Sequence, residues 1–224
     1  MVGREAELAR LHEAKDRWLA GAPVRVWVRG ASGAGKSALL ARFTEELRAE
    51  LDGALVLTTR CRPLERVAHD VIDGWVAAVV AALGRERAGA AAIVPADVAG
   101  GEALFPALGR LPPPPAGAAA DRAPQEILRA LFDAVARQRR LVLVADDLHL
   151  GDRDSARLFM GWFGAPPPLP VLFVGAVGEP RREGGFVDEL GARAATAWMR
   201  GHDVELALSP LGDEAQRLLD PVHP

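Results

Sequence analysis

Apolar side chains recur along this chain in two rhythms, a spacing of three to four residues and short unbroken runs, and their alternation predicts helices between buried strands. Leu8, Leu11, Trp18 and Leu19 fall on one side of a helix over 5–19, among Arg, Glu and Lys suited to water. Gly21-Ala22-Pro23 ends it, and Val24–Val28 reads as the first core strand. Leu40, Phe43, Leu47 and Leu51 repeat at helical spacing, and a second strand is expected over Ala54–Thr59 after the Asp52-Gly53 turn. After Pro63, the residues Val67, Val71, Ile72, Trp75, Val79 and Leu83 mark a helix that covers one face of the sheet, with Gly84 at its end. Pro124 suits the first turn of a helix whose apolar face is Ile127, Leu128, Leu131, Phe132 and Val135. Its basic end, Arg137-Gln138-Arg139-Arg140, complements the negative pole of the helix dipole.

The runs Leu141–Ala145 and Val171–Ala176 read as strands buried on both faces. Between them a helix ending at Phe163 carries Leu158, Phe159, Trp162 and Phe163 toward the core, followed by the rigid Pro166-Pro167-Pro168 connection. A helix over 186–199, a last strand Val204–Leu208 and a short closing helix over 213–219 complete the pattern. Five strands separated by helices argue for a parallel sheet covered on both faces, joined by right-handed crossovers. The stretch 84–123 breaks the rhythm: it is rich in Ala, Gly and Pro, with Pro112–Pro115 at its heart and one short apolar element around Leu104, Phe105 and Leu108. It is expected to be a surface excursion of a single 1–224 domain, most flexible from 111 to 120; a polyproline partner ligand is the other reading.

At 224 residues, 50% hydrophobic and 25% charged, the chain can bury a full α/β core. A net charge of −3 gives no global attraction to nucleic acid or an acidic membrane, so direct nucleic-acid binding is not supported. No run of about eighteen apolar residues exists, and the N-terminus lacks the apolar core of a signal peptide, so the expected location is cytoplasmic, with no membrane partner. Cys61, the single cysteine, has no disulfide partner and no Cys/His set around it, and reads as a buried or half-buried thiol without a role.

Candidate chemistry enters at the first strand-to-helix junction. Gly30-Ala31-Ser32-Gly33-Ala34-Gly35-Lys36-Ser37 fits the phosphate-loop pattern G-x-x-x-x-G-K-[ST], with a strand before it and a helix after it. Wrapping backbone around a polyphosphate needs residues that tolerate unusual φ/ψ, which Gly30, Gly33 and Gly35 supply. The following helix adds unpaired amides and its dipole, so the candidate nucleotide-binding residues run from Gly30 through Ala38. Lys36 would bind the β/γ-phosphates and the hydroxyl of Ser37 would ligate Mg²⁺. The second element is Leu141-Val142-Leu143-Val144-Ala145-Asp146-Asp147, a buried run ending in paired carboxylates where α/β ligands bind. It looks like a Walker B strand, with Asp146 on Mg²⁺, mostly through water, and Asp147 polarising the attacking water; the bland alternative is that the pair merely starts a turn.

With these phrases, Val2-Gly3-Arg4-Glu5-Ala6-Glu7-Leu8, Asp146-Asp147-Leu148-His149 with Asp152 and Ser155, and Leu206-Ala207-Leu208-Ser209-Pro210-Leu211 together resemble the P-loop ATPase domain of the AAA/STAND type. Such domains serve large LuxR-type and cyclase-associated bacterial regulators and are similar to origin-recognition-like ATPases. The resemblance implies a three-layer α/β P-loop NTPase sandwich with a parallel sheet ordered 5-1-4-3-2, the strand bearing Asp146 lying beside the P-loop strand. It implies that Val2, Gly3 and Arg4 lie near the adenine, and that ATP with Mg²⁺ acts as a switch reset by slow hydrolysis. A protein partner or self-association is implied too. The absence of an Asn-Lys-x-Asp phrase also tilts the choice toward adenine over guanine.

The chain departs from that pattern in places. After the fourth strand, where the family often has a polar residue and an arginine, stand Ala176-Val177-Gly178, with Arg181 and Arg182 later, so sensing of the terminal phosphate is expected to be weak or displaced. Leu150 replaces a common tryptophan, a packing variation, and His149 is expected to orient a loop rather than to act as base. The sequence stops at Pro224 without the family's usual C-terminal lid, which implies either a fragment or a domain that docks on another chain. Two functional readings follow: a slow Mg²⁺-dependent ATPase switch with Lys36 and Asp147 as catalytic residues, and a non-hydrolysing nucleotide-binding scaffold. A small-molecule kinase ranks below both, since nothing resembles an acceptor-binding lid.

Overall fold

The computed structural model describes residues 3–62, 69–85, 98, 100–111, 122–163, 170–179, 183–193 and 203–209. Helix α1 (Glu5–Leu19) leads into β1 (Val24–Gly30), the glycine loop and α2 (Lys36–Glu50). Then come β2 (Leu55–Arg60), α3 (Asp70–Arg85), α4 (Pro124–Gln138), β3 (Leu141–Asp146), α5 (Arg153–Phe163), β4 (Val171–Val177), α6 (Phe186–Arg193) and β5 (Asp203–Leu208). The strands form one parallel sheet in the order β2-β3-β4-β1-β5, which is the expected 5-1-4-3-2 order read from the other edge.

Strand alternation sorts the core into two layers. Val24, Val26 and Val28 of β1, Val142 and Val144 of β3, and Leu172 and Val174 of β4 pack on Leu11, Trp18, Leu39, Phe43 and Leu47 of α1 and α2. Trp27, Leu141, Leu143 and Phe173 face the other way, against α3, α4, α5 and α6. That second layer is aromatic: Phe173 meets Trp27 at 5.1 Å and Phe159 at 5.0 Å between ring centroids, and Phe132 stacks on Trp162 at 4.1 Å. The indole N–H of Trp75 donates to the Val144 carbonyl at 3.1 Å, which pins α3 to the strand carrying the carboxylates.

One expectation is corrected. The strand bearing Asp146 does not lie beside the P-loop strand, because β4 is hydrogen-bonded to β1 on one edge and β3 on the other. The physical reason is burial: β4 is apolar and buried at every position, and such a run belongs at the centre of a sheet. Two strand spacings, about 10 Å, therefore separate β1 from β3.

Smaller differences are local. Gly84 does not end α3, which continues to Arg85. The apolar element in the excursion forms 3₁₀ turns over Gly101–Ala103 and Pro106–Arg110; Phe105 and Leu108 are buried there, whereas Leu104 is 40% exposed. Cys61 is buried, and burial pushes its thiol pKa well up, against nucleophilic or redox use. The expectations for Val2, Val67, Pro112–Pro115, Pro166–Pro168, Arg181, Arg182, 194–199 and the closing helix over 213–219 lie outside the described residues. Among the described residues no helix is long and apolar enough to cross a membrane.

Candidate functional site

Parallel strands deliver their C-terminal ends to one edge of the sheet, and the register sets Gly30 beside Leu208, Arg29 beside Val177, and Arg60 beside Asp146. The candidate site occupies that edge. Its near side is made of backbone. Gly33 and Gly35 hold φ of +78° and +85°, values that side chains resist, and Gly35 is the N-cap of α2. Leu39 N–H donates to the Gly35 carbonyl at 2.9 Å, so the amides ahead of it in the first turn have no helical acceptor to face. No acidic residue stands in that turn. The Lys36 ammonium is almost buried and donates to the carbonyls of Gly30 and Ala31, both at 2.8 Å.

Arg4 fastens this loop to the rest of the fold. Its guanidinium donates to the Ala34 carbonyl at 2.8 Å and to the Ser209 carbonyl just past β5, and pairs with Glu7 at 2.8 Å. Its Nε is buried without a hydrogen-bond partner among the described residues. Gly3 is exposed, with its amide on Glu5 Oε1 at 3.2 Å.

The far side is made of side chains. Asp147 leaves β3 at φ +54°, a left-handed conformation that Asp tolerates better than most residues. Its amide donates to Asp146 Oδ1 at 3.0 Å, and its Oδ2 accepts from Arg60 Nε at 3.0 Å, while Asp146 Oδ2 lies 3.8 Å from the same nitrogen. The 3₁₀ turn Leu148–Leu150 follows, seated by fully buried Leu148. From this turn His149 accepts the Gly178 amide on Nδ1 at 3.0 Å. Desolvation lowers the His149 pKa; Asp147 opposes that shift and Lys36 reinforces it, so the ring is held toward its neutral form. Behind the turn, Asp152 caps α5 through Ser155, with Oδ1 on the amide at 2.7 Å and Oδ2 on the hydroxyl at 2.6 Å, and also takes the His69 amide at 3.0 Å.

Both sides meet in a cleft of about 440 Å³ lined by Ser32, Gly33, Gly35, Lys36, Ser37 and Ala38 on one wall and Arg60, Asp147, His149, Gly178 and Glu179 on the other. Gly30 and Ala31 line a smaller adjoining cleft of about 160 Å³. Ser37 and Asp146 share a third, of about 360 Å³, on the side facing β2. Left-handed glycines, a helix N-terminus free of acid and a buried lysine fit a polyphosphate. A serine hydroxyl and a carboxylate in one cleft fit a Mg²⁺ ion that keeps most of its water. No group of three or more His, Cys, Asp or Glu gathers for a metal among the described residues.

Sequence reasoning missed Arg60 and Glu179, and the clamp made by Arg4. Arg60 carried a signal, since it ends the second strand and a parallel sheet aligns strand ends. Glu179 carried none beyond following the fourth strand, and the Arg4 contacts depend on a fold that joins residues 205 apart in sequence.

The same fold recurs in known proteins. The solved structures similar to this chain include a Walker-type ATPase of Pyrococcus abyssi, at 18% identity and TM-score 0.55, which covers 96% of this chain and 55% of that one. The ORC2 protein of Aeropyrum pernix, in ADPNP-ADP complexes, is 15% identical with TM-score 0.52, over 92% of this chain and 48% of that one. Drosophila ORC bound to DNA is 17% identical with TM-score 0.53, over 98% of this chain and 46% of that one. The chain thus spans about half the length of the structures it matches. At these identities the likeness is one of fold. No curated protein matches the chain. The family model for the AAA ATPase domain matches residues 1–174, which contain the phosphate loop and the paired carboxylates, and the chain therefore belongs to the AAA ATPase family as a nucleotide-binding module.

Proposed function

We propose that this module binds ATP through the phosphate loop and hydrolyses it slowly as a switch in signalling or transcriptional regulation, acting in the cytoplasm with a protein partner or a second copy. The observation that carries the chemistry is the cleft that brings Lys36 and Ser37 opposite Asp147. Glycine-loop amides and Lys36 hold and neutralise the β- and γ-phosphates, and Asp147 orients and polarises the water. Ser37 and Asp146 would hold Mg²⁺, which would supply charge neutralisation at the phosphates. Val2, Gly3 and Arg4 lie near the adenine in this reading, which the bond from Arg4 to the Ala34 carbonyl of the glycine loop supports.

Titration of ATP–Mg²⁺ into the protein, following binding heat and thermal unfolding together, tests this. Ligand at about 100 Kd adds roughly 2.7 kcal/mol of stability. Lys36→Ala removes charge-assisted bonds worth about 1.5–3 kcal/mol and weakens binding about 10–150-fold. Unchanged affinity in that variant would sink the assignment. One observation favours the non-hydrolysing scaffold instead: Arg60 already engages the Asp147 carboxylate. Single-turnover phosphate release separates the two readings, because a scaffold releases none.

A further inference from the structure

Resting on the nucleotide reading above, we propose that His149 is the residue by which the cleft tells a nucleoside triphosphate from a diphosphate, its Nε2–H donating to the terminal phosphate from the wall opposite Lys36. A backbone amide can only donate, so the bond from Gly178 N–H makes Nδ1 an acceptor and leaves the ring proton on Nε2. Desolvation holds the ring toward that neutral form. The tautomer is thus set by the main chain of β4, and the free donor belongs to a residue that lines the cleft.

Among the described residues, the rest of that wall is two carboxylates, one committed amide and one guanidinium. Asp147 and Glu179 are carboxylates, the Gly178 amide is given to the ring, and Arg60 spends its Nε on Asp147. A diphosphate held by the glycine loop and Lys36 does not need this wall. A third phosphate extends toward it, and there meets two like charges, the Arg60 guanidinium paired through Nε with one of them, and the neutral donor of His149.

Gly178 is part of the device. A Cβ at this position would stand 2.9 Å from His149 Cε1 and 3.2 Å from Nε2, so the ring lies against a residue that must lack a side chain. The end of β4 carries no polar side chain of its own at Ala176, Val177 or Gly178. It acts on the cleft through the imidazole it holds, and a movement of β4 relative to the turn after β3 would withdraw the donor.

The test compares Mg²⁺–ADP with the Mg²⁺ complex of the β,γ-imido analogue of ATP, by calorimetry, in wild type, His149→Ala, His149→Gln and Gly178→Ala. Loss of a hydrogen bond to a charged group predicts an analogue affinity lower by about 10–100-fold in His149→Ala, with ADP affinity unchanged. Gly178→Ala, which displaces the ring, should reproduce that selective loss. Gln, whose carbonyl can take the amide while its NH₂ donates, should recover part of it. If ADP and the analogue weaken together in the Ala variants, His149 is only a tie between two loops and the proposal is wrong; the same holds if the ratio does not move. Thermal unfolding of each variant without nucleotide identifies a folding defect, and His149→Gln then carries the comparison. Wild-type protein that binds neither nucleotide overturns the site reading and this inference with it, whereas normal ADP binding with an unmoved ratio overturns this inference alone.

Discussion

The two walls of the cleft are built from different materials. The wall from Ser32 to Ala38 is largely backbone, shaped by left-handed glycines and a helix N-terminus and carrying the Lys36 and Ser37 side chains, and it comes from one continuous stretch of chain. The opposite wall is a set of side chains gathered from the ends of β2, β3 and β4 and tied in place, Asp147 by the Arg60 side chain, Asp146 by the Asp147 amide and His149 by the Gly178 amide. Apart from Lys36 and Ser37, the glycine-loop wall cannot be altered one atom at a time by substitution. A wall of interlocked side chains can, and it is where the chemistry and selectivity of the module are adjustable.

The sharpest test of this contrast is Asp147→Asn. It keeps the shape of the far wall while removing the carboxylate, so single-turnover hydrolysis should fall by about 10²–10⁴-fold with ATP affinity intact. Loss of binding instead would mean that the far wall holds the nucleotide and the contrast fails. Next in size is Asp152→Ala. It removes the α5 cap together with the His69 bond that fastens α3 behind the turn, and should cost about 1–2 kcal/mol in urea unfolding. An unchanged midpoint would show that buried Leu148 alone seats the turn. The smallest effect belongs to Arg60→Ala. Arg60 is 67% exposed, so its ion pair with Asp147 is worth about 0–1 kcal/mol, and freeing the carboxylate should raise single-turnover phosphate release by up to about fivefold. A fall in rate would mean that Arg60 itself touches the phosphates.

How far the site was legible follows the same division. The near wall is local, so eight consecutive residues announced it, and their strand and helix flanks were in place. The paired carboxylates were legible only together with the phosphate loop upstream, since a buried run ending in Asp-Asp is common on its own. The ties that Arg60 and Gly178 make were not legible, because each acts through a neighbour brought from another strand. The sheet order came from the family resemblance, and the misplaced adjacency of β1 and β3 arose where no local pattern bears on it: strand periodicity says which residues are buried, not which strand lies beside which. Similarly, Leu104 joined Phe105 and Leu108 in the sequence as one apolar cluster, yet 3₁₀ geometry turned it outward.

The Arg4 clamp has a consequence for the order in which this domain assembles. The guanidinium joins Ala34 to Ser209, a contact closed across 205 residues, so it forms only once β5 has paired with β1. As the polypeptide emerges from the ribosome, β1, the glycine loop and α2 are available early, but the carbonyl that completes the brace arrives only after β5. Until β5 has emerged and paired, the phosphate loop is therefore unbraced, and a nascent chain completes its candidate site in the same step that adds β5 to the sheet.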